Sequence, residues 1–445
     1  MLPIFDLDSS QGRDAFDACR EKLRATTSTE GEAWTSVSAI IDDVRRRGDD
    51  AVVRYMQKWT DPAFTHDRIC VAESEIRHAA DRLDPELRAA IGKSIDHVRG
   101  YQQHIKPASP PDMKIDGAAL GLRFVPVERA GLMVPGGSAV LFSTLIMLAV
   151  PAQVAGVASG DIAVVNPPPT RQAGRPVGDI SPVVLATCHM LGLRTVYRMG
   201  GAQAVAALAF GTDRVKRVEM IAGPGNVFVQ LAKSQLSGQV GTDGGFYGPS
   251  EIVAVADETA DARRVAADLI AQAEHDPGKC FLVAWSIAVI DQVIAQIEQQ
   301  LAGRARRPAI EAALRNESCA LLASGPQHAI DVVNMLAAEH VSLAVADPDA
   351  LFPEIRNAGE IFLGDNTPVA AGDYYAGPSH CLPTGTTARF ASGVSVHTFL
   401  KRMGTVAYAR GMDHATIEAI ARLAEAEGLD GHAASARARG RGAAR

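Results

Sequence analysis

The sequence predicts an α/β protein with two doubly wound units in series and helical segments at both ends. Short β-rich runs alternate with Ala-rich helical stretches from about residue 120, and a second alternation of the same kind follows residue 250. The chain has 445 residues, which is too long for one ordinary domain. Apolar residues make up 47% of it, which is enough to build a packed core.

Residues 1 to about 110 are charge-rich and helical in pattern. In 34–60 and 85–105, apolar residues recur at three- and four-residue spacing, which is typical of amphipathic helices. From about 120 the pattern changes to strand, glycine turn and helix, repeated several times. This first unit has predicted strands at 122–134, 161–169, 195–200 and 217–223 and predicted helices at 202–211 and 226–236.

The second unit repeats the alternation in the order strand, helix, strand, strand, helix, strand. Its predicted elements are 251–258, 260–275, 280–286, 318–324, 328–340 and 341–347. After about 385 the pattern turns helical again. The Arg-rich tail 435–445 contains no apolar residue larger than Ala, so we expect it to be disordered, with a basic docking arm as the alternative.

Composition and charge restrict the class of partner and the compartment. The formal net charge of -7 is modest for this length and argues against nucleic acid as the main partner. Six cysteines are scattered without a C-x-x-C pair, as expected of reduced thiols in a cytoplasmic protein. The N-terminus carries acids where a signal peptide would carry basic residues.

One stretch, 139–158, is about as long and as apolar as a membrane span. Pro151 and Gln153 interrupt it, and no Lys or Arg cluster flanks it. We therefore predict a buried helix followed by another buried element, and no membrane partner.

Three glycine turns lie where a β-run ends and a helix begins. They are Gly131-Leu-Met-Val-Pro-Gly-Gly137, Gly200-Gly-Ala-Gln203 and Gly223-Pro-Gly-Asn226. Glycine lets backbone N–H groups approach a phosphate at a helix N-terminus. None of the turns is G-x-G-x-x-G, and tight turns of α/β proteins use glycine in any case. With the side-chain amides of Gln203 and Asn226 beside them, nucleotide binding is one interpretation and ordinary turn geometry is the other.

Polar residues in three segments suggest a metal site. Gln272 and His275 are three residues apart, so they share one face of the last turn of a helix predicted to end at 276–278. The Gly- and Pro-rich loop 371–381 places two more candidates in a turn-prone segment, and 425–432 supplies another two. Those four are Asp373, His380, Glu427 and His432. Two imidazoles, one carboxylate and an amide oxygen would suit zinc, although each His alone could equally be a surface or core residue.

The dipeptide Glu339-His340 ends the predicted helix 328–340. A His can accept the proton of an alcohol as hydride leaves, because its pKa lies near neutral pH, and a neighbouring Glu can activate water. The alternative is a solvated helix end, where a cation suits the helix dipole.

Read in order, several long strings resemble the histidinol dehydrogenase family over nearly the whole chain. They are VPVERAGLMVPGG, LAVPAQVAGV, GGAQAVAALAFGT, IAGPGNVFVQLAK, GPSEI, ADLIAQAEH, GDYYAGPSHCLPTG, ARFASGVSV and AEAEGLDGH. The resemblance implies two incomplete Rossmann-like doubly wound domains with small helical N- and C-terminal segments. Residues 1–132 would join the first α/β domain, 133–250 would form the second, 251–390 would complete the first, and 391–445 would be the C-terminal segment.

The resemblance also implies cofactors, partners and roles for single residues. It implies zinc and NAD, a small alcohol as substrate, and an intertwined homodimer whose active sites use residues of both chains. The implied zinc ligands are Gln272, His275, Asp373 and His432. Glu339 and His340 would be the catalytic pair, Gln203 and Asn226 would contact the cofactor, and Ser250, His380 and Glu427 would contact the substrate.

Four departures from the family pattern lie in or beside the implied site. Met133 stands where the family usually has Tyr, and Ala337-Ala338 precedes Glu339-His340 where the family usually reads A-P. The run 244–247 ahead of GPSE is also atypical, and 378–380 reads P-S-H where the family has T-N-H. These departures favour a related enzyme with another polar alcohol as substrate, such as a sulfonated diol, slightly over L-histidinol.

Two considerations limit that preference. A carboxylate at Glu427 would suit the ammonium group of histidinol and repel a sulfonate. A hypothesis from another class is a non-catalytic homologue that binds metal or nucleotide, although the intact Glu339-His340 pair speaks against it.

Overall fold

The computed structural model describes residues 2–25, 27, 31–136, 140–169, 179–275 and 278–439. Its chain divides into two compact units. The first comprises Met1–Ile105 and Glu128–Phe399, and the second comprises Lys106–Val127 and Leu400–Arg445. The predicted α/β class is confirmed, because the first unit contains parallel sheets with helices packed on them.

The strands of the described residues are β1 (Ile4–Asp6), β2 (Met113–Ile115), β3 (Ala118–Pro126), β4 (Ala130–Met133), β5 (Ile162–Val165), β6 (Thr195–Tyr197), β7 (Met220–Ala222), β8 (Gly241–Thr242), β9 (Glu251–Ala256), β10 (Lys279–Ala284), β11 (Cys319–Leu322), β12 (His340–Ala344), β13 (Glu360–Leu363) and β14 (Leu400–Ala407).

The α-helices of the same residues are α1 (Ser10–Ala25), α2 (Glu32–Arg47), α3 (Asp49–Trp59), α4 (Glu73–Asp81), α5 (Pro85–Ile105), α6 (Phe142–Ala155), α7 (Pro182–Met190), α8 (Gly201–Phe210), α9 (Val227–Leu236), α10 (Ala262–Ala273), α11 (Ile287–Leu301), α12 (Arg307–Asn316), α13 (Pro326–Leu336), α14 (Pro348–Leu351), α15 (Val369–Tyr374), α16 (His414–Ala426) and α17 (Asp430–Arg437).

Two parallel sheets organise the first unit. Among the described residues, one sheet has the order β1-β11-β10-β9-β12-β13, and the other has the order β6-β5-β4-β7-β8. We call them the large sheet and the small sheet. In each, the chain forms a central strand, moves outward to one side, and then returns to the other side of that strand. This is doubly wound topology, with a switch point between β9 and β12 in the large sheet and between β4 and β7 in the small sheet.

The sequences of the central strands show why the large sheet is covered by helices on both faces. Every residue of β9 and β10 is buried, and their sequences, EIVAVA and KCFLVA, are almost continuously apolar. Such runs are typical of parallel strands covered by helices on both sides. The predicted buried helix in 139–158 is α6, nearly all of whose residues are buried. None of the helices within the described residues combines the length and apolarity needed to cross a bilayer.

The second unit is described by itself. Strand β14 pairs antiparallel with β3 along its whole length, and β2 pairs with the start of β3. Helices α16 and α17 pack against each other, with Ala421, Ala424 and Ala433 buried between them. The predicted return to helix after about 385 is therefore wrong for 400–407, which form β14. The tail prediction is wrong for 435–437, which end α17, while 440–445 lie outside the described residues.

Three local predictions around the candidate site are also wrong. Helix α13 ends at Leu336 rather than at His340, because Ala337 takes a left-handed conformation (φ 47°) and His340 begins β12. Helix α10 ends at Ala273, so His275 lies beyond its last turn, and 276–277 lie outside the described residues. Asp373 belongs to the short helix α15 rather than to a loop.

A buried ion pair braces the carboxyl edge of the small sheet. Lys233 of α9 pairs with Asp243, which follows β8, and their side chains are 3% and 0% exposed. Lys233 Nζ also donates to the Gly223 carbonyl (3.0 Å), while the Gly223 N–H donates to Oδ2 of Asp243 (2.7 Å). The ion pair therefore binds both the N–H and the carbonyl group of Gly223, the first residue of the turn 223–226.

The first prediction concerns this brace. Lys233→Met should lower the free energy of unfolding by about 3–5 kcal/mol, because it leaves the Asp243 carboxylate buried without its cation. Denaturant titration followed by circular dichroism measures the loss. Lys216→Met, which removes an exposed lysine from the same unit, is the matched control. A loss below about 1 kcal/mol would mean that Asp243 does not need the ammonium group.

Candidate functional site

The Glu339 carboxyl group lies between the amino ends of two neighbouring strands. Glu339 immediately precedes β12, and Ser250 immediately precedes β9. The Ser250 hydroxyl and the Glu251 backbone N–H (3.0 Å) both donate to Oε2 of Glu339. Burial raises the pKa of Glu339 well above its ordinary value, although the Ser250 hydrogen bond opposes the shift. A carboxyl group whose pKa is raised in this way is a candidate for proton transfer.

The His340 imidazole lies beside this carboxyl group, with Nδ1 3.6 Å from Oε2 of Glu339. It is buried, and neither ring nitrogen has a hydrogen-bond partner among the described residues. Burial lowers the pKa of His340 to about 3, with smaller contributions from His275 and His380. The ring is therefore unprotonated at neutral pH, and it becomes an effective proton acceptor when a nearby anion, such as an ionised Glu339, stabilises its protonated form.

A buried ion pair, Glu251–Lys279, links the amino ends of β9 and β10. Oε1 of Glu251 lies 3.4 Å from Nζ of Lys279 and accepts a hydrogen bond from the Gly385 N–H (3.1 Å). The Lys279 backbone N–H donates to the Ser250 carbonyl (3.0 Å). These contacts fix the amino ends of β9 and β10, and thus the direction of the Glu251 N–H that holds Glu339.

Three of the predicted metal ligands, Gln272, His275 and Asp373, lie near the amino edge of the large sheet, and His275 and Asp373 interact electrostatically. Gln272 is the second-last residue of α10 and is buried, and its Nε2 has no hydrogen-bond partner among the described residues. Desolvation of the imidazole by the surrounding protein lowers the pKa of His275, and the nearby Asp373 carboxylate opposes the shift. Burial raises the pKa of Asp373, and His275 opposes it. The imidazole and the carboxylate are therefore close enough to stabilise each other's charge.

Both ring nitrogens of His380 make hydrogen bonds within the protein. Its Nδ1 donates to the Asp373 carbonyl (2.8 Å), and its Nε2 lies 3.0 Å from the Thr144 hydroxyl of α6. With Nδ1 as the donor, Nε2 accepts from that hydroxyl. Burial lowers the pKa of His380 to about 4, so the ring is neutral. The loop that carries His380 is thereby tied to a helix of the small sheet.

The remaining predicted residues, Glu427 and His432, belong to the second unit. Glu427 caps the C-terminus of α16, and His432 lies in the first turn of α17. Both are exposed to solvent.

The predicted cofactor residues lie at the carboxyl edge of the small sheet. Asn226 caps α9, where its Oδ1 accepts from the Val229 N–H (3.2 Å). Gln203, in the first turn of α8, is buried, with Nε2 3.7 Å from Sδ of Met56 and Oε1 unpartnered. Met133 ends β4, directly beside the switch point.

Backbone geometry at this edge explains the glycine of the turn. Gly223 has a φ of 116°, and a Cβ there would lie 2.4 Å from the Met133 carbonyl oxygen. Only glycine permits this approach of the two strand ends, which form the crevice where doubly wound sheets bind nucleotides. Gly131, which the sequence places in a turn, lies inside β4, and Gly137 is outside the described residues.

Comparison with known proteins decides the family. The profile of the family described as Histidinol dehydrogenase matches residues 23–440. Histidinol dehydrogenase of Rhodopirellula baltica is 40% identical over 449 residues, covering 97% of this chain and 95% of the relative. The Bacillus subtilis enzyme of that name is 41% identical over 411 residues, covering 92% and 94%. The chain belongs to the histidinol dehydrogenase family.

The structural comparison agrees. The crystal structure of histidinol dehydrogenase from Elizabethkingia anophelis has a TM-score of 0.88 to this chain at 30% identity, covering 98% of both. The Rossmann-like fold expected of the family is thereby confirmed. The chain is an NAD-dependent oxidoreductase that acts on a CH–OH group, and the cofactors of its family are NAD and zinc.

The residues present fit both cofactors of the histidinol dehydrogenase family. The amide oxygen of the buried Gln272, the His275 imidazole and the Asp373 carboxylate are oxygen and nitrogen ligands of the kind that zinc accepts, and His275 and Asp373 interact electrostatically. Among the described residues no three His, Cys, Asp or Glu side chains form a metal-binding group. For NAD, the unpartnered Oε1 of Gln203 lies at the N-terminus of α8, on the carboxyl edge of the small sheet.

Sequence reasoning missed four residues that the structure brings to the site: Thr144, Glu251, Lys279 and Glu360. Glu251 follows Ser250 in GPSE and could have been suspected, since a carboxylate inside an apolar strand needs a partner. Lys279 begins an apolar strand and carried the same signal. No local pattern marks Thr144, which lies inside an apolar helix. Glu360, whose pKa is raised to about 7 by burial and by Asp373, begins a short strand that the sequence did not predict.

The second prediction tests whether His432 is a zinc ligand, as the family resemblance implies. If it is, His432→Ala should lose most bound zinc and most activity while keeping the fold, because the site loses one imidazole ligand. Zinc per chain is measured by atomic emission and the fold by circular dichroism. His414→Ala removes another exposed histidine of the same unit and is the control. Unchanged zinc content and turnover in His432→Ala would mean that His432 is not a ligand.

Proposed function

We propose that this enzyme oxidises L-histidinol to L-histidine through a bound aldehyde, with two NAD consumed per turnover. The observation that carries the proposal is the buried Glu339–His340 pair beside Gln272, His275 and Asp373. The relatives named histidinol dehydrogenase, at 40–42% identity over more than nine tenths of the chain, support L-histidinol over another polar alcohol. This similarity outweighs the departures from the family sequence pattern at Met133 and in the neighbouring loops.

The balance of the reaction defines what the protein must supply. The alcohol R–CH2OH loses a hydride and a proton to become R–CHO. Addition of water gives the hydrate R–CH(OH)2, which loses a second hydride and two protons to become R–COO⁻. NAD accepts the hydride in each oxidation, so the protein has to remove protons at the substrate oxygen and deliver one water molecule.

His340 is the proposed proton acceptor. Its imidazole is neutral at neutral pH and its ring nitrogens are unpartnered among the described residues, so one can bind the substrate hydroxyl and take its proton. The imidazolium that forms would be stabilised by an ionised Glu339, whose Oε2 lies 3.6 Å from Nδ1. Burial excludes bulk water, which strengthens this interaction.

Glu339 is the proposed activator of water in the hydration step. Ser250 and Glu251 bind one of its oxygens, so the other can accept a proton from water. Its raised pKa makes the carboxylate a stronger base than an exposed Glu. In this proposal Ser250 both orients Glu339 and contacts the substrate, with His380 and Glu427 as further substrate contacts.

We assign the zinc ligands as Gln272, His275 and Asp373 of one chain together with His432 of the partner subunit. When bound, zinc would hold the substrate's nitrogens in place, which is orientation more than Lewis-acid chemistry. We assign cofactor contacts to Gln203 and Asn226.

We further propose a homodimer in which each active site uses residues of both chains. The exposure of Glu427 and His432 on the second unit supports this assignment, since polar residues meant for a neighbouring chain need to be accessible. The free cysteines support a cytoplasmic location, where thiols stay reduced.

The third prediction tests the substrate. Zinc-loaded enzyme with L-histidinol and excess NAD should form two NADH per L-histidinol consumed, because the aldehyde stays bound until its hydrate is oxidised. Absorbance at the NADH band and amino-acid analysis of the product measure the ratio. Turnover of a sulfonated diol but not of L-histidinol would contradict the substrate and leave the reaction class intact.

The fourth prediction separates the two half-reactions. Glu339→Gln should slow oxidation of the aldehyde by about 10²–10⁴-fold, as expected for loss of general-base catalysis, and slow the first hydride transfer much less. Single-turnover kinetics started from histidinol and from the aldehyde measure the two steps. Glu317→Gln, which changes a surface ion pair with Lys22, is the control. Equal slowing of both steps would rule out the water-activating role.

A further inference from the structure

Two cysteines from distant parts of the sequence lie between α1 and the large sheet. Phe16, Cys19 and Leu23 recur at spacings of three and four residues, so they share one face of α1. Phe16 and Leu23 are buried in the apolar core on one side of the large sheet, and Cys319 of β11 belongs to the same core. Cys19 packs against that core. The helix therefore presents one thiol to the side of the sheet that carries the other.

The strand register defines the face of the sheet on which Cys319 lies. Cys319 is the register partner of Phe281 in β10, and Leu321 is the partner of Phe5 in β1. Register partners of neighbouring strands project from the same face, and these four side chains contact one core. His340 projects from the opposite face, because its register partner in β9 belongs to the other core cluster. The thiols are therefore separate from the catalytic face.

Lys22 holds α1 against the residues that lead into β11. Its Nζ lies 2.8 Å from Oε2 of Glu317 and donates to the Asn316 carbonyl (3.1 Å). Lys22 follows Cys19 by three residues on α1, and Glu317 precedes Cys319 by two. These contacts bring the two cysteines together, and their side chains share a hydrogen bond.

This hydrogen bond makes the two sulfurs chemically unequal. Donation from Cys319 lowers the pKa of Cys19 to about 7, with help from Lys22, while burial and Glu317 oppose the shift. The same hydrogen bond and burial raise the pKa of Cys319 well above its ordinary value. Cys19 is therefore the sulfur that ionises near neutral pH, and a thiolate is the nucleophilic form of cysteine.

A cavity gives small molecules access to Cys19. Its volume is about 210 Å³, and its lining includes Cys19, Phe281 and the exposed residues Arg315 and Asn316, so it opens to solvent. A water molecule occupies about 30 Å³ in the liquid, so a peroxide fits with room to spare. Cys319 is fully buried. A peroxide from solvent therefore meets Cys19 first.

We propose that Cys19 and Cys319 form a redox-active thiol pair, a modification site at which a peroxide generates a disulfide between α1 and β11. The Cys19 thiolate attacks one oxygen of ROOH, the O–O bond breaks, and the leaving RO⁻ takes up a proton to become ROH. The resulting Cys19 sulfenic acid is attacked by the Cys319 sulfur, which forms the S–S bond and releases water. Two thiols are oxidised, and ROOH is reduced to ROH and water. The proposal does not depend on the identity of the alcohol substrate.

The fifth prediction is that hydrogen peroxide converts the reduced full-length enzyme to this disulfide. Mass spectrometry of a digest should show the peptides of Cys19 and Cys319 joined, with one peroxide consumed per chain. Before oxidation, Cys19 should react with iodoacetamide about 5- to 10-fold faster than Cys70, because its larger thiolate fraction outweighs its lower nucleophilicity. Cys70 is the matched comparison, since it is the other partly buried cysteine and burial raises its pKa.

Three variants assign the role of each sulfur, with circular dichroism as the check on their fold. Cys319→Ser keeps a hydroxyl donor for the thiolate but removes the sulfur that closes the bond, so peroxide should leave a Cys19 sulfenic acid that dimedone traps. Cys19→Ser should form no disulfide, whereas the control Cys70→Ser should form it as the unmodified enzyme does.

Contrary results can be obtained on the unmodified enzyme alone. Absence of the Cys19–Cys319 link after peroxide treatment, or a Cys19 sulfenic acid that persists, would overturn the proposal. So would a disulfide that contains Cys70, or alkylation of Cys19 no faster than that of Cys70.

Discussion

The parallel pairing of β9 with β12 is the constraint on which the candidate active site depends. Its register places His340 opposite Ile252, so Glu339 falls beside the Ser250 hydroxyl and the Glu251 N–H. A slip of one residue would turn the His340 side chain to the opposite face of the sheet. The large sheet therefore determines the geometry of the chemistry. The Glu251–Lys279 pair at the same strand ends fixes the direction of the groups that donate hydrogen bonds to Glu339.

The two sheets have the same topology, but their predicted functional residues lie at opposite edges. In the small sheet, the predicted cofactor residues lie at the carboxyl edge, with Asn226 directly after β7 and Gln203 shortly after β6, which is the edge where the topology leads one to expect a ligand. In the large sheet, the equivalent crevice is closed by Asp257, which follows β9. Its Oδ2 accepts from the Ala346 N–H (2.8 Å) after β12, and its Oδ1 accepts from the Thr259 N–H (2.9 Å). With that edge occupied by a structural carboxylate, the large sheet offers its amino edge, where Glu339, His340 and Glu360 lie.

The sequence predicted those features that have a local cause. Apolar runs identified β5, β9 and β10, and the turn 223–226 could be predicted because glycine and a capping Asn leave a local signature. The end of α13 could not, since Ala337 adopts a left-handed conformation that usually belongs to Gly or Asn, and apolar residues at helical spacing continue up to it. Here strand pairing with β9 and β13 outweighed helical propensity.

Long-range contacts set a further limit on prediction. Glu360 and His340 are separated by 20 residues, and Ser250 and Glu339 by 89, and no periodicity joins them. The strand β14 is mostly exposed and lacks alternation, so only its pairing with β3 defines it. The catalytic and ligand residues were therefore assigned through resemblance to a family, whereas the groups that support them required the structure.

Burial drives the two members of the catalytic pair toward neutrality from opposite directions. It raises the pKa of Glu339 and lowers that of His340, so in the free chain it favours the protonated form of the carboxyl group and the unprotonated form of the imidazole. In the proposed reaction Glu339 has to ionise before it can activate water. A cation bound nearby favours that ionisation, and zinc held by the proposed ligand Asp373, whose charge acts on Glu339, would bring positive charge close to Glu339. Binding of the cationic substrate and release of the Glu339 proton are then coupled, so the base becomes active only when the group it serves is in place.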